Sequence, residues 1–388
     1  MMVPISYNLR SLWVRKSATL LTVFGIGATV AVVAGVLALQ QGFERLYSEN
    51  GREDLAVFLR PGATNEGDSQ FRREQAEILQ KSLPEIAQNE QGEPLASQEC
   101  FLAVRRYKLD GGETNVPIRG VQQQTFEIRA GEVSVTEGRT FTPGSDEVIV
   151  GEKLAGRIRG AAVGEVIVLN TTPFQVVGIL ASDGPFASEI WGDLDRMLEA
   201  LERPNANRVI AQLKDGTDFT ALTARIESDK QVPAKLLTER EYLTGQTEIL
   251  SMILRFLGVF LGAIMGIAAV FTATNTMLSA IASRTREIGI LLASGFRPFP
   301  IFLSFVFESL VLGLIGGLVG CLMVLPINGI ETGTTNFQTF TEVAFAFRVT
   351  PYVLTRAVLF ALVLGLIGGA LPALLASRLS PTEALRRV

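Results

Sequence analysis

The chain of 388 residues has no histidine and only two cysteines. Without histidine it can hold no Ser-His-Asp triad, no HExxH zinc site and no phospho-accepting imidazole. Cys100 sits in a polar region and Cys321 in an apolar run, which argues against an internal disulfide and against a two-cysteine metal site. No GxxxxGK[ST] run occurs, so the chain does not hydrolyse ATP by the phosphate-loop route. No catalytic group, metal or cofactor is expected in the chain itself.

What the sequence does have is strong segregation. Residues 41–248 carry 23 basic and 34 acidic side chains, a net of −11, and the other 180 residues carry 12 and 5, a net of +7, within a chain of net charge −4. An acidic insert between apolar, weakly basic flanks describes a membrane protein with one large domain outside the bilayer. Crossing the hydrocarbon core takes about 20 mostly apolar residues, and four runs qualify: 18–40, 249–276, 301–326 and 352–376. The first is too long for the apolar region of a signal peptide and lacks an A-x-A cleavage site, so it reads as an uncleaved anchor.

Lys and Arg in short loops set orientation. Arg10, Arg15 and Lys16 precede the first span, Arg284, Arg286 and Arg297 lie between the second and third, and Arg378, Arg386 and Arg387 follow the fourth. The loop 327–351 holds only Arg348, beside Glu331 and Glu342. Both termini are therefore expected in the cytoplasm of a multi-pass inner (plasma) membrane protein. The expected fold is four transmembrane α-helices with a large α+β extracytoplasmic domain inserted between the first and second. Gly258-xxx-Gly262-xxx-Gly266, Gly313-xxx-Gly317, Gly316-xxx-Gly320 and Gly365-xxx-Gly369 let helix backbones approach closely in lipid. Any one pair is equally explained by the general glycine enrichment of membrane helices; together they predict a packed bundle or a dimer.

In the domain at 41–248, alternation predicts strands at 54–60, 98–109, 115–121, 166–169, 174–180 and 208–213. Helical spacing predicts helices near 71–83, 152–158, 194–202 and 219–229, with Phe71, Ile78 and Leu79 near one face. The pairs Asp146/Glu147 and Asp193/Asp195, and the cluster Arg105-Arg106-x-Lys108, read as solvated surface, since acidic residues are mostly exposed as a class. An acidic extracytoplasmic domain gives no support to nucleic-acid binding.

The informative run is NTMLSAIASRTREIGILLASGFRPFPIF, from Asn275. Its centre, 283–293, is a short amphipathic helix ended by Gly295 and Pro298. It can lie on the membrane surface or dock into a cytoplasmic partner. Glu308, about 10 Å along the third span at 1.5 Å per residue, is an intramembrane carboxylate that must face protein and be paired or protonated; a structural hydrogen-bonding role and a part in transmission both fit. Arg255 and Arg356 are placed to snorkel. At the C terminus Ser380, Pro381 and Glu383 have capping-box spacing, either starting a docking helix or forming a terminal anchor.

These motifs resemble a known family. The runs SRTREIGILLASG and FESLVLGLIGGLVG are similar to the permease subunits of the MacB/FtsX/LolC type, the mechanotransmission (type VII) ABC permeases. YNLRSLWVRKSATLLT is similar to the family's amphipathic N-terminal helix (here 1–17), GGALPALLASRLSPTEALRR to its closing signature, and VIVGEKLAG with FQVVGIL to its MacB-like periplasmic domain. The resemblance implies a homodimer, or a heterodimer with a related permease, held in membrane lipid and clasped by separate ABC-type ATPase subunits that bind the ATP. It implies that loop 277–300 carries the coupling helix, with Arg284, Arg286, Glu287, Ile288 and Gly289 at the ATPase contact. The Lys and Arg pattern already makes 377–388 a cytoplasmic tail and 327–351 a short extracytoplasmic loop, and the resemblance agrees with that topology. Transport of a lipid, lipoprotein, peptide or hydrophobic compound is one expectation, with a periplasmic adaptor or outer-membrane channel as a candidate further partner. The alternative is a non-transporting transmitter that regulates an extracytoplasmic partner such as a cell-wall hydrolase.

Overall fold

The computed structural model describes residues 16–48, 51–336 and 339–380. In chain order, α1 (Lys16–Ser48) leads to β1 (Leu55–Leu59), α2 (Arg73–Lys81), β2 (Ala96–Tyr107) and β3 (Glu113–Val121). Next come α3 (Gln124–Ile128), β4 (Val133–Gly138), β5 (Glu147–Gly151), α4 (Glu152–Ala155), β6 (Val166–Leu169), β7 (Thr172–Ser182) and β8 (Ile190–Asp193). Then α5 (Leu194–Ala200), β9 (Arg208–Gln212), α6 (Phe219–Glu227) and β10 (Lys235–Thr238) complete the sheet-rich region. The remainder is α7 (Glu239–Ser283), α8 (Thr285–Ala293), α9 (Pro298–Val324), β11 (Glu331–Thr335), β12 (Glu342–Ala346) and α10 (Pro351–Ser377). These form two compact units: residues 43–251 with 331–345, and the helical remainder.

In the helical unit, α1, α7, α9 and α10 are long and apolar enough to cross a membrane. The 45 residues of α7 would extend about 68 Å at 1.5 Å per residue, against about 30 Å of hydrocarbon, so its N-terminal turns belong to the sheet-rich unit. Glycine packs the bundle. A Cβ on Gly313 would lie 2.7 Å from the Ala361 carbonyl, and one on Gly365 2.7 Å from the Ser309 carbonyl, so α9 and α10 meet backbone to backbone. The opposite glycine row of α9 receives α1: a Cβ on Gly316 would reach Ile26 at 2.8 Å and one on Gly320 the Gly27 carbonyl at 2.7 Å. The two interleaved GxxxG motifs thus serve two neighbours within one chain. The α7 row is looser, with Gly258, Gly262 and Gly266 facing only side chains of Val36, Val33 and Leu364 at 3.2–3.3 Å.

The sheet-rich unit is built on one ten-stranded mixed sheet in the order β10-β1-β9-β2-β3-β8-β5-β7-β4, with β6 paired to β7. Among the described residues, β3·β8 and β5·β7 are its parallel strand pairs. Two lobes share it. Ala96–Glu99 of β2 pair with β9, and Cys100–Tyr107 pair with β3, so this single long strand crosses from one lobe to the other. The first lobe buries Ala56, Phe58, Leu79, Val209 and Leu222; the second buries Val116, Val148, Phe174, Val176 and Met197. Helix starts follow their side chains: Asp193 caps α5 and Asp218 caps α6 by accepting from Arg196 N and Ala221 N, as short acceptors do at N-caps.

Two sequence expectations shift. Phe71 precedes α2 and bridges Ala206, while Ile78 is exposed and Leu79 buried. Residues 331–346 are not a bare loop but a two-stranded sheet, β11–β12. The N-terminal helix expected at 1–17, apart from Lys16 and Ser17, lies outside the described residues.

Candidate functional site

The long helix α7 breaks at Arg284, whose φ of −118° and ψ of 13° leave helical geometry, and α8 restarts at Thr285. The end of α8 is closed by Gly295 at φ +95°, with Phe296 N donating to Leu291 O at 3.1 Å and Gly295 N to Leu292 O at 3.1 Å. That is the Schellman pattern, in which the left-handed residue is cheap only as glycine. A nine-residue helix is therefore bounded at both ends by backbone geometry, within the 277–300 segment singled out in the sequence.

Its two faces differ. Thr285, Ile288 and Gly289 are buried, and Ile288 joins Met277, Ile281, Ile301, Phe305, Ala373 and Ala376 in one apolar cluster. The inner face is thus packed on the ends of α7, α9 and α10. Arg286 and Glu287 are exposed, as is Ile290 at 54%. Of the five residues expected at a partner contact, Arg286 and Glu287 face outward, Ile288 and Gly289 face inward, and Arg284 does neither.

Arg284 is 11% exposed and lies between two carboxylates: Glu287 Oε2 at 3.3 Å and Glu308 Oε2 at 3.5 Å, the latter on a side chain only 3% exposed. The structure brings Glu308 of α9 to the break before α8, a juxtaposition that spacing does not reveal. Ser309, beside it, donates its hydroxyl back to Val306 O at 2.8 Å. Ser380 closes the described chain; Pro381 and Glu383 lie outside the described residues.

In the sheet-rich unit, acids outside the pairs read as solvated surface prove to be deeply buried. Glu66, Glu99 and Glu189 are buried, and so are Arg119 and Arg208. Arg119 uses all five N–H donors of its fork: Nε and Nη2 on Glu189 at 2.7 and 2.8 Å, Nη1 and Nη2 on Glu66 at 2.7 and 2.8 Å, and Nη1 on Glu99 at 3.0 Å. Arg208 adds a hydrogen bond from Nε to Glu99 at 2.8 Å and ion-pair contacts to Glu99 at 2.6 Å and to Glu66 at 3.1 Å. Burial alone would push the Glu66 and Glu99 carboxyls up, but the Arg119 and Arg208 charges outweigh it and hold both below the usual carboxylate range. Buried charges persist only with such pairing. A cavity of about 30 Å³ lies among Tyr47, Glu66, Arg119, Glu189 and Asn336, room for about two waters. Cys100 is buried and free, its thiol pushed up by burial to about 12.

The surface acids are engaged rather than idle. Asp146 pairs with Arg196 at 2.7 Å, Glu147 with Arg139, and Asp195 with Arg73 at 3.0 Å. Lys108, expected on a solvated strand face, pairs with Glu342 at 2.6 Å. Among the described residues no group of three metal-ligating side chains occurs.

Two family models match the chain: the MacB-like periplasmic core domain over residues 19–229 and the FtsX-like permease C-terminal over residues 258–381. The macrolide export ATP-binding/permease protein MacB of Agrobacterium fabrum is 25% identical over 97% of this chain, which spans 59% of that relative's length. The pyoverdine export ATP-binding/permease protein PvdT of Pseudomonas syringae pv. tomato is 27% identical over 97% of this chain and is likewise covered to 58%. The uncharacterized ABC transporter permease YknZ of Bacillus subtilis is 24% identical, with 98% of each chain covered. The chain belongs to the MacB/FtsX-type ABC permeases.

Proposed function

We propose that this permease converts nucleotide-driven movement at α8 into movement of its sheet-rich domain, and thereby exports or extracts a lipid, lipoprotein, peptide or hydrophobic compound. The observation that carries the reading is the division of α8 between an inner face packed on three long helices and an outer face that presents Arg286, Glu287 and Ile290. A push on such a helix cannot be absorbed locally, because close-packed interiors transmit strain. ATP is bound by an ABC-type ATPase subunit that grips the outer face, as the family implies.

The Lys and Arg pattern of the short loops supports four spans in the inner membrane, with both termini and α8 in the cytoplasm and the sheet-rich domain outside it. Pairing with a second permease copy, or with a related one, follows from the family. Two relatives of similar identity are named for different exports, macrolides and pyoverdine, so likeness at this level does not choose the cargo. The second reading is a non-transporting transmitter that regulates an extracytoplasmic partner such as a cell-wall hydrolase.

Charge reversal tests the coupling. Arg286→Glu and Glu287→Lys change exposed side chains, so the protein is expected to fold and to co-purify with its ATPase in reduced yield. The ATPase rate of the purified complex should fall at least ten-fold or lose its dependence on the permease. Wild-type yield and rate in both variants would remove the assignment.

A further inference from the structure

The second sheet occupies the connection between α9 and α10, and within the sheet-rich unit it is held to residues of 43–251 at several separate places. Asn336, 2% exposed, follows β11. Its Nδ2 donates to the Tyr47 hydroxyl at 3.2 Å and to Gln246 Oε1 at 2.9 Å. Tyr47 is in the last turn of α1 and Gln246 in the early turns of α7. One buried amide therefore joins the segment linking α9 and α10 to the end of α1 and the start of α7. Phe345 of β12 stacks edge-on against Phe43 of α1, ring centres 5.4 Å apart.

A second anchor reaches the far lobe. Glu342 of β12 pairs with Lys108 at 2.6 Å and Arg157 at 2.6 Å and accepts from the Thr114 hydroxyl. Lys108 follows β2, Thr114 lies in β3 and Arg157 follows α4, all of the second lobe. Burial pushes the Glu342 carboxyl up, but the bonds from Lys108 and Thr114 and the charges of Lys108 and Arg157 bring it below the ordinary value of 4.5; it is ionised at neutral pH. Glu331 of β11 pairs with Lys153 of α4, and Ala344 N donates to the Ser188 hydroxyl at 3.3 Å.

We infer that β11–β12 is a strap that carries displacement of α9 and α10 into the second lobe through Glu342, tied by Asn336 to the ends of α1 and α7 and acting beside the path through the crossover strand β2. The inference rests on the transmission reading above. Its anchors suit the task. A buried amide with both donors used does not slip, since each orphaned polar group would cost a desolvation penalty. A carboxylate held by two cations and a hydroxyl resists shear in more than one direction.

The test uses the full chain with its co-purified ATPase in lipid nanodiscs, with amide hydrogen exchange followed with and without ATP and vanadate. In the wild type, trapping is expected to change exchange several-fold in β3 and β7. Asn336→Leu, which keeps size and removes both donated bonds, and Glu342→Gln, which removes the charge, should each reduce that response at least three-fold while ATP hydrolysis continues. Full response in both folded variants overturns the strap alone. No nucleotide response of the domain in the wild type overturns strap and transmission reading together. Should Asn336→Leu fail to assemble, Tyr47→Phe removes one of its two acceptors and carries the same readout.

Discussion

The helical bundle and the sheet-rich domain solve the packing problem in opposite ways. In the bundle the closest approaches are made where side chains are missing: Gly313 against Ala361, Gly365 against Ser309, Gly316 and Gly320 against α1. Lipid offers no hydrophobic drive between helices, so contact area and backbone proximity must hold them. At the junction of the domain's two lobes sit ionised groups, with Arg119 at the middle of three glutamates. An apolar contact there would serve stability as well or better; the ion cluster adds direction, because five fixed N–H vectors accept few arrangements of the lobes. The bundle is held by backbone proximity along its glycine seams, whereas the domain junction is held in register by directed ion pairs.

The largest expected effect comes from breaking that register. Arg119→Met keeps the bulk and leaves Glu66, Glu99 and Glu189 buried without their main partner, which should cost about 3–5 kcal/mol. Thermal unfolding of the purified chain in detergent measures it. Arg119→Lys is expected to recover only part of the loss, since a point charge cannot make two bidentate pairs. A variant as stable as the wild type would show that the cluster is neither desolvated nor cooperative.

Next in size is the bundle. Gly313→Ala places a methyl 2.7 Å from the Ala361 carbonyl, and overpacking of this kind costs about 1–3 kcal/mol. Gly25→Ala, on α1 with open space around the added carbon, is the matched control and should be neutral or slightly stabilising, since alanine is the better helix former by up to about 1 kcal/mol. Equal melting of the two variants in detergent would mean that the glycine rows reflect composition and not contact.

The contrast also explains what could be read from residues alone. Four apolar runs, the short helix ended by Gly295 and the glycine rows are local: their periods sit within one helix, and the structure places α8 and the α9–α10 seam where those periods occur, while the break before α8 at Arg284 was not read from the residues. The ion cluster is not local. Arg119 meets partners 53, 20 and 70 positions away, and in isolation Glu66, Glu99 and Glu189 look like any other acid of an acidic domain. A signal existed for Glu99 and Arg208, each of which stands in a strand with an apolar residue directly after it, Cys100 and Val209. The strap was hidden for a similar reason. EVAFA alternates too briefly to announce a strand, and its value lies in Glu342 meeting Lys108 and Arg157 across more than 180 positions. Glu308 was legible as an intramembrane acid; that Arg284 answers it depended on how α7 breaks.

The smallest effect sharpens the comparison from the other side, because position and not charge is what separates strong from weak pairs in this domain. Arg105 and Glu113 lie on neighbouring strands, 3.4 Å apart, with side chains 75% and 45% exposed. Water screens the attraction, and both chains lose rotamer freedom to make it. Glu113→Ala should therefore shift stability by no more than about 0.5 kcal/mol, near the detection limit of the melting curve that registers Arg119→Met plainly. The exposed pair should also lose what effect it has in high salt, where the Debye length falls to about 3 Å at 1 M, while the penalty of Arg119→Met should persist. If both penalties fade together as salt rises, the Arg119 cluster is reached by solvent, and the lobes are held by their apolar cores alone.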